Sequence, residues 1–123
     1  MSSIYAKVYM KVNDEEEKHI RTCGGSLFWV DMCKKECGFG EGQRERDKFL
    51  EDHFHLNSRE PGFYKVNVRL ELYRKNRNTT KHLKRILHYL SEIAIDTDRN
   101  CVGQHHMVHE IPISVTKQLT SII

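Results

Sequence analysis

With 123 residues, 38% hydrophobic and 30% charged side chains and a net charge of +3, the chain has room for one modest core and the composition of a folded, water-soluble protein. Its apolar runs are only a few residues long, which excludes a membrane-spanning helix. The opening MSSIYAKVYMKV, broken by Lys7 and Lys11, carries no secretory pattern. The expectation is a single domain over residues 1–123, inside a cell, cytoplasmic or nuclear, with no membrane partner. Four cysteines (Cys23, Cys33, Cys37 and Cys101) without an export signal are expected to be reduced thiols.

Ile4 to Val12 alternates Ile4, Ala6, Val8, Met10 and Val12 with Tyr5, Lys7, Tyr9 and Lys11, the mark of a half-buried strand. The acidic turn 13–17 follows. Residues 18–23 read as a short strand before Gly24-Gly25, with a helical turn over 14–22 as the competing reading, and Ser26 to Met32 reads as a further strand. Lys34 to Gly42, with glycines at 38, 40 and 42, reads as a loop. Gln43 to His55 places Phe49, Leu50, His53 and Phe54 at helical spacing, and Pro61-Gly62 turns the chain into the next element.

Phe63 to Arg74 is the strongest strand signal, with Tyr64, Val66, Val68, Leu70 and Leu72 alternating against Lys65, Asn67, Arg69, Glu71 and Tyr73. After a polar turn, Thr79 to Ile95 sets Leu83, Ile86, Leu87, Leu90 and Ala94 three and four apart, which predicts a helix whose other face carries Lys81, Lys84, Arg85 and His88. A polar loop, 96–106, leads to a last strand, His109 to Val115, expected at an edge because Pro112 lacks an N–H. These elements add up to an α+β two-layer sandwich: a mostly antiparallel sheet of four to five strands with two helices packed on one face.

From Lys65 to Arg85 there are eight Lys/Arg and one acid, Glu71, a local charge of +7 against +3 for the whole chain. If both helices cover one face of the sheet, the other presents Tyr5, Lys7, Tyr9, Lys11, Lys65, Arg69 and Tyr73, with Trp29 added if its strand forms. Arg74, Lys75, Arg77, Lys81, Lys84 and Arg85 extend the positive surface. Bases stack on phenol rings while lysine and arginine neutralise phosphates, so this mixture suits single-stranded nucleic acid. The same residues also suit the solvated side of a sheet. The aromatic submotifs of the RNA-recognition module and the glycine clamp of a KH domain are lacking.

Signals for chemistry are weaker. Cys33-x3-Cys37 and Cys101-x3-His105 have the spacing of zinc ligands and make one candidate structural site, Cys33, Cys37, Cys101 and His105; no other cofactor is expected. Cys23 beside a glycine turn is a weak nucleophile candidate. In the 51–55 cluster, His53 and His55 are two residues apart and do not share a helix face. The glycines at 38, 40 and 42 lack the Lys-Ser/Thr ending of a phosphate loop. The chain therefore reads as a non-catalytic binding module for single-stranded nucleic acid, RNA foremost. The alternative is a small inhibitor of the immunity-protein, antitoxin or viral-antagonist type, which binds an acidic protein stoichiometrically; a homodimer is left open.

Overall fold

A computed structural model describes residues 3–55, 58–75, 81–98 and 101–111; at Ser3, 81–84 and 101–111 it describes the backbone alone. Five strands form one antiparallel sheet in the order β2-β1-β3-β4-β5. They are β1 (Ser3–Val12), β2 (Lys18–Gly24), β3 (Gly62–Lys75), β4 (Lys81–Ile95) and β5 (Cys101–Ile111). Between β2 and β3 run two helices, α1 (Leu27–Lys34) and α2 (Gln43–Phe54), which pack on one face of the sheet. This is the expected α+β two-layer architecture.

The alternation read in β1 and β3 sets the core directly. Ala6, Val8, Met10 and Val12 stand opposite Leu72, Leu70, Val68 and Val66 in the register, and all eight are buried. They meet Val30, Cys33, Cys37 and Phe39 from the first helical segment and Phe49, Leu50 and Phe54 from α2. Each large side chain of this kind contributes about 1.5–3 kcal/mol when removed from water. The sheet's other face is left to the intervening residues.

Residues 79–95 do not form the predicted helix. From Lys81 they form β4, paired along β3 from Gly62↔Ile95 to Lys75↔Lys81. The residues buried against the helices are Leu87, Tyr89, Ser91, Ile93 and Ile95, a period of two that shares only Leu87 with the three-and-four pattern. Two observations explain why pairing wins. Ile86, Tyr89, Ile93 and Ile95 favour a pleated surface, and a helix here would leave one edge of the central strand β3 without hydrogen-bond partners. A register shift between Leu72 and Tyr73 marks a bulge near the start of the strand.

Ser26 to Met32 is the converse correction. Ser26 caps a helix, its Oγ accepting from the Trp29 backbone N–H at 3.3 Å, and the buried positions Val30, Cys33 and Cys37 recur at steps of three and four. The predicted loop over 34–42 is helical as far as Phe39, in a wide π-type turn over Lys35–Phe39. Gly38 kinks this turn with φ at 93°, and a Cβ there would come within 2.7 Å of the Tyr89 hydroxyl. Of the readings for 14–22, the strand is the one observed, from Lys18.

The last strand begins earlier than predicted, at Cys101 within the expected polar loop, and lies at the sheet edge. Residues 112–115 of the predicted strand lie outside the described residues, as does Arg77.

Candidate nucleic-acid interface

Two adjacent strands build the site. In the β1–β3 register Tyr5 stands opposite Tyr73, Lys7 opposite Glu71, Tyr9 opposite Arg69 and Lys11 opposite Asn67. Because their neighbours all point into the core, these eight share the sheet face that the helices leave uncovered. Lys11 and Lys65 are exposed, and the tyrosines are half-buried. Five of the residues predicted for this face (Tyr5, Lys7, Tyr9, Arg69 and Tyr73) form one connected cluster.

The rings and charges are mutually arranged. Tyr5 and Tyr73 stack with centroids 5.1 Å apart and planes 10° from parallel. The Lys7 ammonium lies 5.6 Å from the Tyr73 ring, and the Arg69 guanidinium lies 4.5 Å above Tyr9. His19 of β2 packs against the other side of the group, 5.2 Å from Tyr9, with its Nε2 2.7 Å from the Thr22 hydroxyl. Cross-strand pairs of this kind contribute roughly 0.2–1 kcal/mol each to the sheet.

Arg69 is held by two carboxylates. Its Nε and Nη2 donate to the two oxygens of Glu17 at 3.3 and 2.6 Å, and Nη1 donates to Glu71 at 2.5 Å. The Tyr73 hydroxyl donates to the remaining Glu71 oxygen at 2.8 Å. Burial works against the Arg69 charge, but the hydrogen bonds to Glu17 and the charge of Glu71 outweigh it and hold the guanidinium more basic than usual. Burial, then the Glu71 hydrogen bond, pushes the Tyr73 phenol up; Tyr9 is raised by burial and by the Glu71 charge. All three therefore keep their protons throughout the neutral range.

The predicted basic helix face does not exist. Arg85 and His88 lie three residues apart on β4, opposite Leu72 and Arg69, and so point to opposite sides of the sheet. Lys81 and Lys84 are on the same strand, but their side chains are outside the described residues. Arg74 and Lys75 are exposed at the end of β3. Trp29 belongs to α1 and not to the sheet face.

Cys33, expected as a reduced thiol and zinc ligand, is joined to Cys23 in a disulfide with a Cα–Cα distance of 6.4 Å. That bond removes Cys33 from the four-ligand set and Cys23 from the role of free nucleophile. Cys37, one helical turn from Cys33, is buried, and desolvation pushes its thiol up to about 11. Cys101 and His105 lie on β5 in register with Ile95 and Glu92, and their side chains are outside the described residues. Among the described residues no three His, Cys, Asp or Glu side chains gather as a metal site.

His53 packs on Phe49 at 4.6 Å and is made less basic by burial. It borders a shallow cleft of about 210 Å³ between β2 and α2, which the Arg21–Glu36 ion pair, 2.6 Å long, also lines. His55 ends α2 with φ at 60°.

Sequence reading missed two features. Glu17 comes to Arg69 from the turn 13–17, a contact with no local signal; Glu71, two residues from Arg69 on the same strand face, was legible by alternation. Helix α1 exposes Leu27, Phe28, Trp29 and Met32, with Phe28 at 64% and Trp29 at 55%. Reading this segment as a strand offered only Trp29 to a surface.

The fold and the uncovered face define the class: an α+β sandwich that presents an aromatic and cationic sheet surface. Comparison with protein-family models, with curated proteins and with solved structures finds no match. Among the described residues no helix is long and apolar enough to cross a membrane.

Proposed function

We propose that this protein is a non-catalytic binding module that takes single-stranded nucleic acid, RNA foremost, on the uncovered face of β1 and β3. The observation that carries the reading is the grouping of Tyr5, Tyr9 and Tyr73 on that face with Lys7, Lys11 and Lys65. The rings offer π surfaces to bases and the lysines offer charge to the backbone, while Lys75 continues the positive track on the same face at the end of β3. Each stacked base contributes about 1–3 kcal/mol in such platforms. No cofactor is needed.

The test is fluorescence anisotropy of labelled 12-nucleotide uridine and deoxythymidine oligomers across a salt series. Affinity is expected to fall steeply with salt. Replacing Tyr5 and Tyr73 together by alanine is expected to weaken binding by roughly tenfold or more. Absence of binding at low ionic strength by the folded protein would end the reading.

A cytoplasmic or nuclear location goes with it, and the Cys23–Cys33 bond pulls the other way, because disulfides persist mainly in oxidising compartments. Counting thiols in protein alkylated at the moment of lysis decides between them.

A second reading, the stoichiometric protein-binding inhibitor, is favoured by α1. Leu27, Phe28, Trp29 and Met32 are exposed together on one short helix, a surface of the kind that marks protein contacts. A single partner recovered after nuclease treatment, and lost with Phe28→Ser, would support it over the first.

A further inference from the structure

The sheet's open face already holds an anion at its centre. Arg69 lies on the middle strand of the five, and its Nε–Nη2 edge, the side on which a guanidinium takes two oxygens of one anion, is filled by the Glu17 carboxylate at 3.3 and 2.6 Å. Glu17 is the last residue of the acidic turn 13–17 and lies 52 positions from Arg69 in the chain.

The two carboxylates on Arg69 are not equivalent. Glu71 comes from the same strand, its side chain is only 14% exposed, and its second oxygen is fixed by the Tyr73 hydroxyl at 2.8 Å. It holds Nη1 while the guanidinium lies over Tyr9, 4.5 Å from the ring centroid. Glu17 reaches in from a turn, and its side chain is 36% exposed. Glu71 is therefore the better fixed of the two carboxylates, and Glu17 the more exposed one.

We propose that the Nε–Nη2 edge of Arg69 is a phosphodiester subsite of the platform, closed in the free protein by Glu17 acting as an internal anion. This rests on the nucleic-acid reading above. A phosphate presents two oxygens to the same edge as a carboxylate does. Binding then exchanges one anion for another at Arg69, while the turn carrying Glu17 moves aside. The exchange lowers affinity for every ligand of the face and selects those whose backbone phosphate falls at the centre of the sheet.

The test compares wild type, Glu17→Gln, Glu16→Gln and the double variant Glu17→Gln/Arg69→Gln by anisotropy of the labelled uridine 12-mer across a salt series. Glu16 is exposed in the same turn and controls for the loss of one negative charge. Glu17→Gln is expected to bind about fivefold more tightly, the scale of one partly exposed ion pair. Its log–log salt slope should steepen by about 0.7 on a single strand, because the phosphate at Arg69 no longer replaces an internal anion and one more net charge is neutralised on binding. Glu16→Gln should stay within about twofold of wild type, and the double variant should lose the gain. Oligomer binding by wild type with Glu17→Gln indistinguishable from it, or from Glu16→Gln, overturns the subsite and leaves the function reading standing. Binding by none of the four overturns both.

Discussion

Two side chains decide how the helical layer sits on the sheet, and both can be tested singly. Tyr89 is fully buried on β4, its hydroxyl donating to the Cys37 carbonyl at 2.8 Å and its ring edge-on to Phe39 at 4.9 Å. Tyr89→Phe removes the donor and leaves a buried carbonyl at the kink by Gly38. A loss of about 1–2 kcal/mol is expected in urea unfolding, with the fold retained. Cys37 supplies a pH signature. Burial raises its thiol from the ordinary 9.0 to about 11, so between these values the unfolded chain releases a proton that the folded chain keeps. Stability from this group is complete below pH 9 and is lost as pH climbs toward 11, by about 1.4 kcal/mol per pH step. Subtracting the curve of Cys37→Ala from that of wild type isolates the effect, because the tyrosines titrate in both. Parallel curves across that window would exclude the assignment.

At the scale of elements, legibility depended on whether one face or two were under selection for burial. β1 and β3 have one apolar and one polar face, and their alternation specifies the pairing surface and the tyrosine and lysine face residue for residue. β4 carries apolar side chains on both faces: Leu87, Ile93 and Ile95 toward the helices, and Ile86, buried on the other side next to Glu71. Any such segment satisfies a helical stripe as well as a strand, and only the unfilled edge of β3 settles it, which is not a local property. α1 misled for the opposite reason. Its buried side is just Val30 and Cys33, so its apolar residues are mostly exposed and their order imitates a strand. The disulfide from Cys33 to Cys23 is accordingly a principal anchor of this helix. Closing a loop of sequence separation 10 restricts the unfolded chain by about 2.5–3 kcal/mol. The Cys23→Ser/Cys33→Ser protein is expected to unfold at lower urea by that amount. Its amides over 27–34 should exchange faster while those of β3 keep their relative protection. Unchanged exchange in α1 would mean that Val30 and the Ser26 cap suffice.

For the whole molecule, the consequence of a two-layer build is that its two candidate surfaces are separated by the core. Tyr5, Tyr9 and Tyr73 sit on the face of the sheet away from the helices, whereas Trp29 is on the helical layer and is the only tryptophan in the chain. That arrangement makes Trp29 a spectator of any ligand on the sheet and a direct reporter of any partner on α1. Its 55% exposure predicts a red-shifted emission that iodide or acrylamide quenches readily. Saturating the protein with the uridine 12-mer should leave that emission and its quenching within about a tenth of their starting values, since base stacking acts only at contact distance. A protein partner seated on Phe28, Trp29 and Met32 should instead shift the emission to the blue and shield it from quencher as the indole leaves water. Protection of Trp29 by the oligomer would place nucleic acid on the helical side and remove the reason for assigning it to the tyrosines. The same titration read on Lys34 and Lys35 by amine labelling gives an independent check, because these lysines belong to the helical layer and keep their reactivity if the strand face is the one covered.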